Sequence, residues 1–191
     1  FAEAVAKDVN TLPDVVARLA GHSHVRVRRA AVGNANCPTR LVAAAAGGTG
    51  WQVRAAAAAN PNTASDVLDV LVGDTYWQVR AAAAANPNVP AQRLARLTAA
   101  AHWQVSAAAA ANPNLDVNVL VRLVAHGDPD TVAAAAANPN MPADVLAELD
   151  AGCPPDEVIV LERSNDEVAD YASALAAAGM PVLSSAGDAL L

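Results

Sequence analysis

Large side chains are scarce in this chain. Of 191 residues, 3 are tryptophan, 2 tyrosine, 1 phenylalanine and 2 methionine, whereas 54% are hydrophobic and about a quarter are alanine. That balance excludes a core filled by bulky rings and suits thin helices packed closely. Cysteine is as rare, with only Cys37 and Cys153, too far apart to bridge in an extended molecule. Two thiols make no disulfide framework and fall short of the roughly four that an iron-sulfur cluster takes. Long apolar runs are missing as well. The longest are alanine stretches cut by Asn-Pro, far below the roughly 20 residues that cross a bilayer, so no membrane-spanning helix is expected.

The first residues, Phe-Ala-Glu-Ala-Val-Ala-Lys, lack the basic and apolar regions of a signal peptide. With both cysteines expected as buried thiols, a reducing, cytoplasmic setting follows. Catalytic constellations are lacking too. His22, His24 and Cys37 bring no fourth zinc ligand at a suitable spacing. Gly47-Gly48-Thr49-Gly50 has neither the strand nor the lysine of a phosphate loop. The expectation is a protein without catalytic residues, metal or cofactor, and so not an enzyme.

What is present is repetition. Trp51 to Asn62 and Trp77 to Asn88 are identical, Trp-Gln-Val-Arg, five alanines and Asn-Pro-Asn. Trp103 to Asn114 differs only at Ser106, and Pro129 to Asn140 keeps the alanines and Asn-Pro-Asn. Val25 to Asn36 is a degenerate copy and Phe1 to Asn10 the tail of one more. Five full units of 26 residues then run 25–50, 51–76, 77–102, 103–128 and 129–154. A fixed period of this size marks a solenoid, whose units bury their apolar faces on one another. The chain opens inside a unit and without methionine, which predicts a fragment of a longer protein.

Each unit reads as two short helices. In unit 77–102, Asp74 and Thr75 are expected to cap a helix A of about ten residues. Pro87 disfavours helical backbone at Asn86 and stops it. Asn88 is expected to cap helix B, with Pro90 in the first turn. Helix B carries pairs at i, i+3: Val16 and Leu19, Leu68 and Leu71, Leu94 and Leu97, Leu120 and Leu123, Leu146 and Leu149. These ladders are the expected core. The alanines of helix A let adjacent units approach closely, and the three tryptophans are expected to cover the edge of that core.

Beyond residue 154 the pattern ends. Val158 to Leu161 and Pro181 to Leu183 read as strands around a helix over 166–178, a βαβ unit or a cap on the last repeat. Two domains are expected, a solenoid over 1–154 and an acidic tail over 155–191. The net charge of −7 is uneven: residues 1–100 hold ten basic and six acidic side chains, and residues 101–191 two and thirteen. Such polarity favours steering of partners or head-to-tail self-association.

Val79-Arg80, Ala83, Asn86-Pro87-Asn88, Pro90, Leu94 and Leu97 together resemble the leucine-rich repeat variant family, in register over residues 1–154. The resemblance implies a right-handed superhelix without β-sheet, with α-helices alternating with shorter, 3₁₀-type ones. The wider HEAT repeats are similar in an Asp, six residues, Arg pairing, matched here only by Asp74 with Arg80; His22, Gly48, Ala100 and His126 fill the other acidic slots. One member type of the variant family is associated with an iron-sulfur cluster on a separate cysteine-rich segment, which nothing in this sequence matches. The fold class expected is all-α, a right-handed α-solenoid of 26-residue repeats with a small C-terminal tail.

Function is then sought where the copies disagree. Flanking the first ladder residue of helix B, the side chains change from unit to unit: Asp14 and Arg18, Arg40 and Ala44, Asp66 and Val70, Gln92 and Arg96, Asn118 and Arg122, Asp144 and Glu148. They are expected to line a concave groove that binds a protein or peptide partner. A second candidate is an anion-binding set, Arg18, Arg26 and Arg29 with Arg40, facing an acidic partner or nucleic acid. Against nucleic acid stand the acidic chain as a whole and the lack of aromatic residues among these arginines. Arg28, Arg54 and Arg80 are equivalent positions and are expected to tie helix ends as a structural ladder.

Overall fold

A computed structural model describes residues 1–150 and two short strands, 159–161 and 182–184; the side chains of His126 and residues 148–150 lie outside the described residues. Among the described residues twelve α-helices follow one another in two alternating rows. The helix A row comprises α1 (Ala2–Lys7), α3 (Val25–Gly33), α5 (Trp51–Ala59), α7 (Trp77–Ala84), α9 (Trp103–Ala110) and α11 (Pro129–Ala136). The helix B row comprises α2 (Pro13–Ala20), α4 (Thr39–Ala46), α6 (Ser65–Leu71), α8 (Ala91–Leu97), α10 (Val117–His126) and α12 (Ala143–Asp150). Every helix B is α rather than the 3₁₀ type that the resemblance implies. Its first turn closes with i→i−4 bonds, as from Leu68 N–H to the Ala64 carbonyl and from Leu94 N–H to the Pro90 carbonyl.

The two rows pack differently. Each helix A lies directly against helix A of the next unit, and helix B packs mainly on helix A of the unit after it. The alanines explain the first contact: Ala57, Ala58, Ala83, Ala84, Ala109 and Ala110 are fully buried between neighbouring helices and hold them at methyl distance. The leucine ladder is also buried at Val16, Leu68, Leu71, Leu94, Leu97 and Leu120. Leu19, Leu123 and Leu146 are only half-buried, and in α12 Val145 takes the core position. Leu149 lies outside the described residues. Between the helices a single side chain plugs each turn, Cys37, Thr63, Val89, Leu115 or Met141, all buried.

The Asn-Pro-Asn turn carries the joint between units. Ahead of Pro87, helix A ends and the carbonyls of its last turn lose their intrahelical donors. Those carbonyls are taken by the following unit. Asn86 is 2% exposed, and its Nδ2 donates to the Ala58 and Asn60 carbonyls at 2.7 and 2.8 Å. Its Oδ1 accepts from Asn88 N–H at 2.9 Å. Asn34, Asn60, Asn112 and Asn138 make the same pair of bonds one unit back. Asn88 corrects the expected capping role. Its side chain donates to the Pro61 and Thr63 carbonyls of the preceding unit at 2.7 and 3.1 Å, and Pro90 stands at the N-cap of α8 without a side-chain cap. Likewise Tyr76, not Asp74 or Thr75, is the N-cap of α7. Helix A there is eight residues long rather than ten.

Strands β1 (Ile159–Leu161) and β2 (Val182–Ser184) pair in parallel, Ile159 with Val182 and Leu161 with Ser184, as a βαβ unit requires. The helix expected over 166–178 lies outside the described residues, as does Cys153.

Candidate functional site

The helix B residues that differ between units stand in a solvent-facing strip. Asp14, Arg18, Arg40, Ala44, Asp66, Val70, Gln92, Arg96, Arg122 and Asp144 are all exposed, two residues on either side of a buried ladder position. Helical geometry puts such i and i+4 residues side by side on one face. Val70 is 71% exposed, an apolar spot in an otherwise polar strip. Asn118 departs from the pattern: it is half-buried, and its Oδ1 is buried without a hydrogen-bond partner. The side chain of Glu148 lies outside the described residues. Two residues beside the strip escaped the sequence reading. Arg93 Nε donates to Asp69 Oδ1 at 2.9 Å across a unit boundary, and both side chains are about two-fifths exposed.

Successive helices B touch less than successive helices A, which form the closer-packed row. A shallow groove across three successive units lies there, between Lys7 of α1, Arg29 and Gly33 of α3 and Trp51 and Ala55 of α5. Methyl-sized side chains fill the helix A row and leucines the helix B row.

The N-terminal arginines divide between rows. Arg26 and Arg29 lie exposed on helix A of the first full unit, Arg18 and Arg40 exposed on helix B, and none of the four forms an ion pair among the described residues. Lys7 hydrogen-bonds Glu3, with an ion-pair distance of 2.8 Å, and holds its carboxyl below the usual range; Arg26 and Arg29 add to that field. An acidic group therefore already faces the pair. Arg28 is committed elsewhere: its Nη1 donates to the His22 and Ser23 carbonyls at 2.7 Å each. Arg54 and Arg80 repeat this clamp on the loop before their own helix. In unit 103–128 Ser106 takes the place of the arginine and reaches only the Ala100 carbonyl, at 3.3 Å.

Asp74 does not pair with Arg80 in the manner of HEAT repeats. Its carboxylate binds Arg54 at the start of its own unit, and only its backbone carbonyl receives Arg80 of the next. His22 and His24 stack on each other with ring centroids 5.3 Å apart. Among the described residues there is no group of three or more histidine, cysteine or acidic side chains placed to hold a metal ion. Cys37 is buried, and burial pushes its thiol up. No helix among the described residues is long and apolar enough to cross a membrane.

Two rows of short helices, closed unit by unit through side-chain amides, define a helical-repeat solenoid. Its fold is that of a solved structure described as a leucine-rich repeat variant with a novel repetitive protein structural motif. The two superpose with a TM-score of 0.52 at 20% identity over 88% of this chain, and the chain spans 62% of the length of that protein. No family model matches the chain. No curated protein matches it either.

Proposed function

We propose that this protein is a non-enzymatic interaction scaffold that binds a protein or peptide partner along the exposed face of helix B. One observation carries the reading: the first asparagine of each turn and the inner alanines and ladder residues that repeat are buried in the frame, whereas Arg40, Asp66, Gln92, Arg96, Arg122 and Asp144 are presented to solvent and change from unit to unit. A repeat surface of this kind is read as a row of separate choices, one per unit. The partner spans several units and carries acidic groups opposite Arg96 and Arg122. A cytoplasmic setting accompanies the proposal, supported by the buried, unbridged thiol of Cys37. Head-to-tail self-association belongs with it, supported by the charge asymmetry and read by sedimentation at low and high salt. The test is charge reversal: Arg96→Glu with Arg122→Glu, folded by circular dichroism, loses the partner that the wild-type chain captures. Capture of the same partner at the same strength overturns the reading.

A second reading, nucleic-acid binding by Arg18, Arg26 and Arg29, is favoured by the exposure of all three and by Arg29 lining a groove that also holds Lys7 and Trp51. Affinity for DNA or RNA then falls steeply with salt. No binding at low ionic strength removes it.

A further inference from the structure

Trp51, Trp77 and Trp103 open their helices at equivalent positions, and the first two are covered by a ring from the end of the unit. Trp51 stacks on Tyr76 with centroids 6.0 Å apart and planes 16° apart. Trp77 stacks on His102 at 6.0 Å and 27°. Both tryptophans are half-buried and packed against the core. At the next boundary the equivalent residue is Asp128, which caps α11 instead. Its Oδ1 accepts from Thr131 N–H at 3.1 Å and its Oδ2 from the Thr131 hydroxyl at 2.6 Å. Trp103 is left 50% exposed, so the expectation that all three tryptophans cover the core fails at this one.

The aromatic column already shows what else it accepts. The Arg54 guanidinium lies 5.5 Å from the centroid of Tyr76, and its nitrogens bind the Asp74 carboxylate at 2.6 and 3.0 Å. A ring face, a guanidinium and a carboxylate thus form one unit of structure there. In the repeat register Ser106 stands for Arg54, Asp128 for Tyr76 and His126 for Asp74. At this boundary the open indole of Trp103 thus meets an aspartate in place of a ring, with Asp128 and Asp130 exposed at the following helix start and no arginine of the chain at the Arg54 position. In sequence, residues 101–191 hold thirteen acidic side chains against two basic. A guanidinium over an indole face is among the favourable cation–π geometries, and nearby carboxylates add charge.

We propose that the uncovered face of Trp103, flanked by Asp128 and Asp130, is a docking site for an arginine side chain in a basic segment of a partner protein. The site lies at the start of helix A, apart from the helix B strip, so either can fail without the other. A fluorescently labelled peptide carrying two arginines spaced by glycines, and its lysine and tyrosine counterparts, are titrated into the whole chain by anisotropy. The arginine peptide binds best, and Trp103→Ala weakens it about tenfold, the loss of a partly desolvated cation–π contact with its charge. Asp128→His, which restores the ring found at His102, blocks the site. Asp130→Asn weakens binding several-fold and leaves α11 its cap. Trp103→Ala or Asp128→His proteins that bind the arginine peptide as the wild type does overturn the proposal. So does a tyrosine peptide that binds as well as the arginine one, or self-association of the chain that Trp103→Ala abolishes in place of peptide binding.

Discussion

Arg54 and Asp74, twenty residues apart, tie the start of one unit to its end in a two-point ion pair with Nε–Oδ2 at 2.6 Å and Nη2–Oδ1 at 3.0 Å, their side chains only 13% and 9% exposed. The hydrogen bond from Arg54 is the largest influence holding the Asp74 carboxyl below its ordinary value. Asp74→Asn keeps the shape and removes the charge, at an expected cost of about 1–3 kcal/mol. Because the folded pKa is depressed, the contribution is complete above the unfolded carboxylate pKa of about 3.9 and is lost as pH falls through the lower folded value. Urea unfolding of wild type and variant should show a clear gap near neutral pH and a narrowed one in acid. A gap independent of pH contradicts the assignment.

Asn86 is expected to be the costliest polar residue of its unit. Asn86→Ala strips three bonds from a buried site, leaves the Ala58 carbonyl without a donor and leaves the Asn60 carbonyl only the Thr63 N–H, worth about 2–4 kcal/mol. Asn88→Ala, at an exposed position, costs about 1 kcal/mol. Asn86→Asp turns an acceptor toward two carbonyls and is worse than alanine. Denaturant midpoints of the three variants check the order.

Ala83 is fully buried and Ala85 is exposed. Ala83→Leu overpacks the helix A row and destabilises by about 1–3 kcal/mol, whereas Ala85→Leu stays within about 0.5 kcal/mol. Thermal unfolding of the pair separates crowding from any general effect of leucine.

The Cys37 thiol, buried and raised by burial, should react slowly with an alkylating reagent. In a Cys153→Ser background, labelling at neutral pH is slow in buffer and fast in denaturant. Fast labelling of the folded chain contradicts the burial.

Periodicity revealed the repeat, the stop at each proline and the exposed strip, because these depend on neighbours in sequence. The Asn-Pro-Asn turn was misjudged for the converse reason. An asparagine after a helix can cap the next one or donate backwards, and only the carbonyls one unit back decide between them. Asp74 shows the same limit: Arg80 is six residues away in sequence, yet Arg54 receives its carboxylate. The open face of Trp103 was legible only as an absence, the aspartate standing where tyrosine and histidine stood before.

The amide bonds between units all point one way: each asparagine gives its protons to carbonyls that come earlier in the chain. Every unit is therefore a finished template before the next one arrives. A chain synthesised from its N-terminus lays each new turn onto acceptors already in place, so growth and folding proceed in the same direction, and a unit removed from the middle would be replaced by the one behind it with its donors correctly aimed.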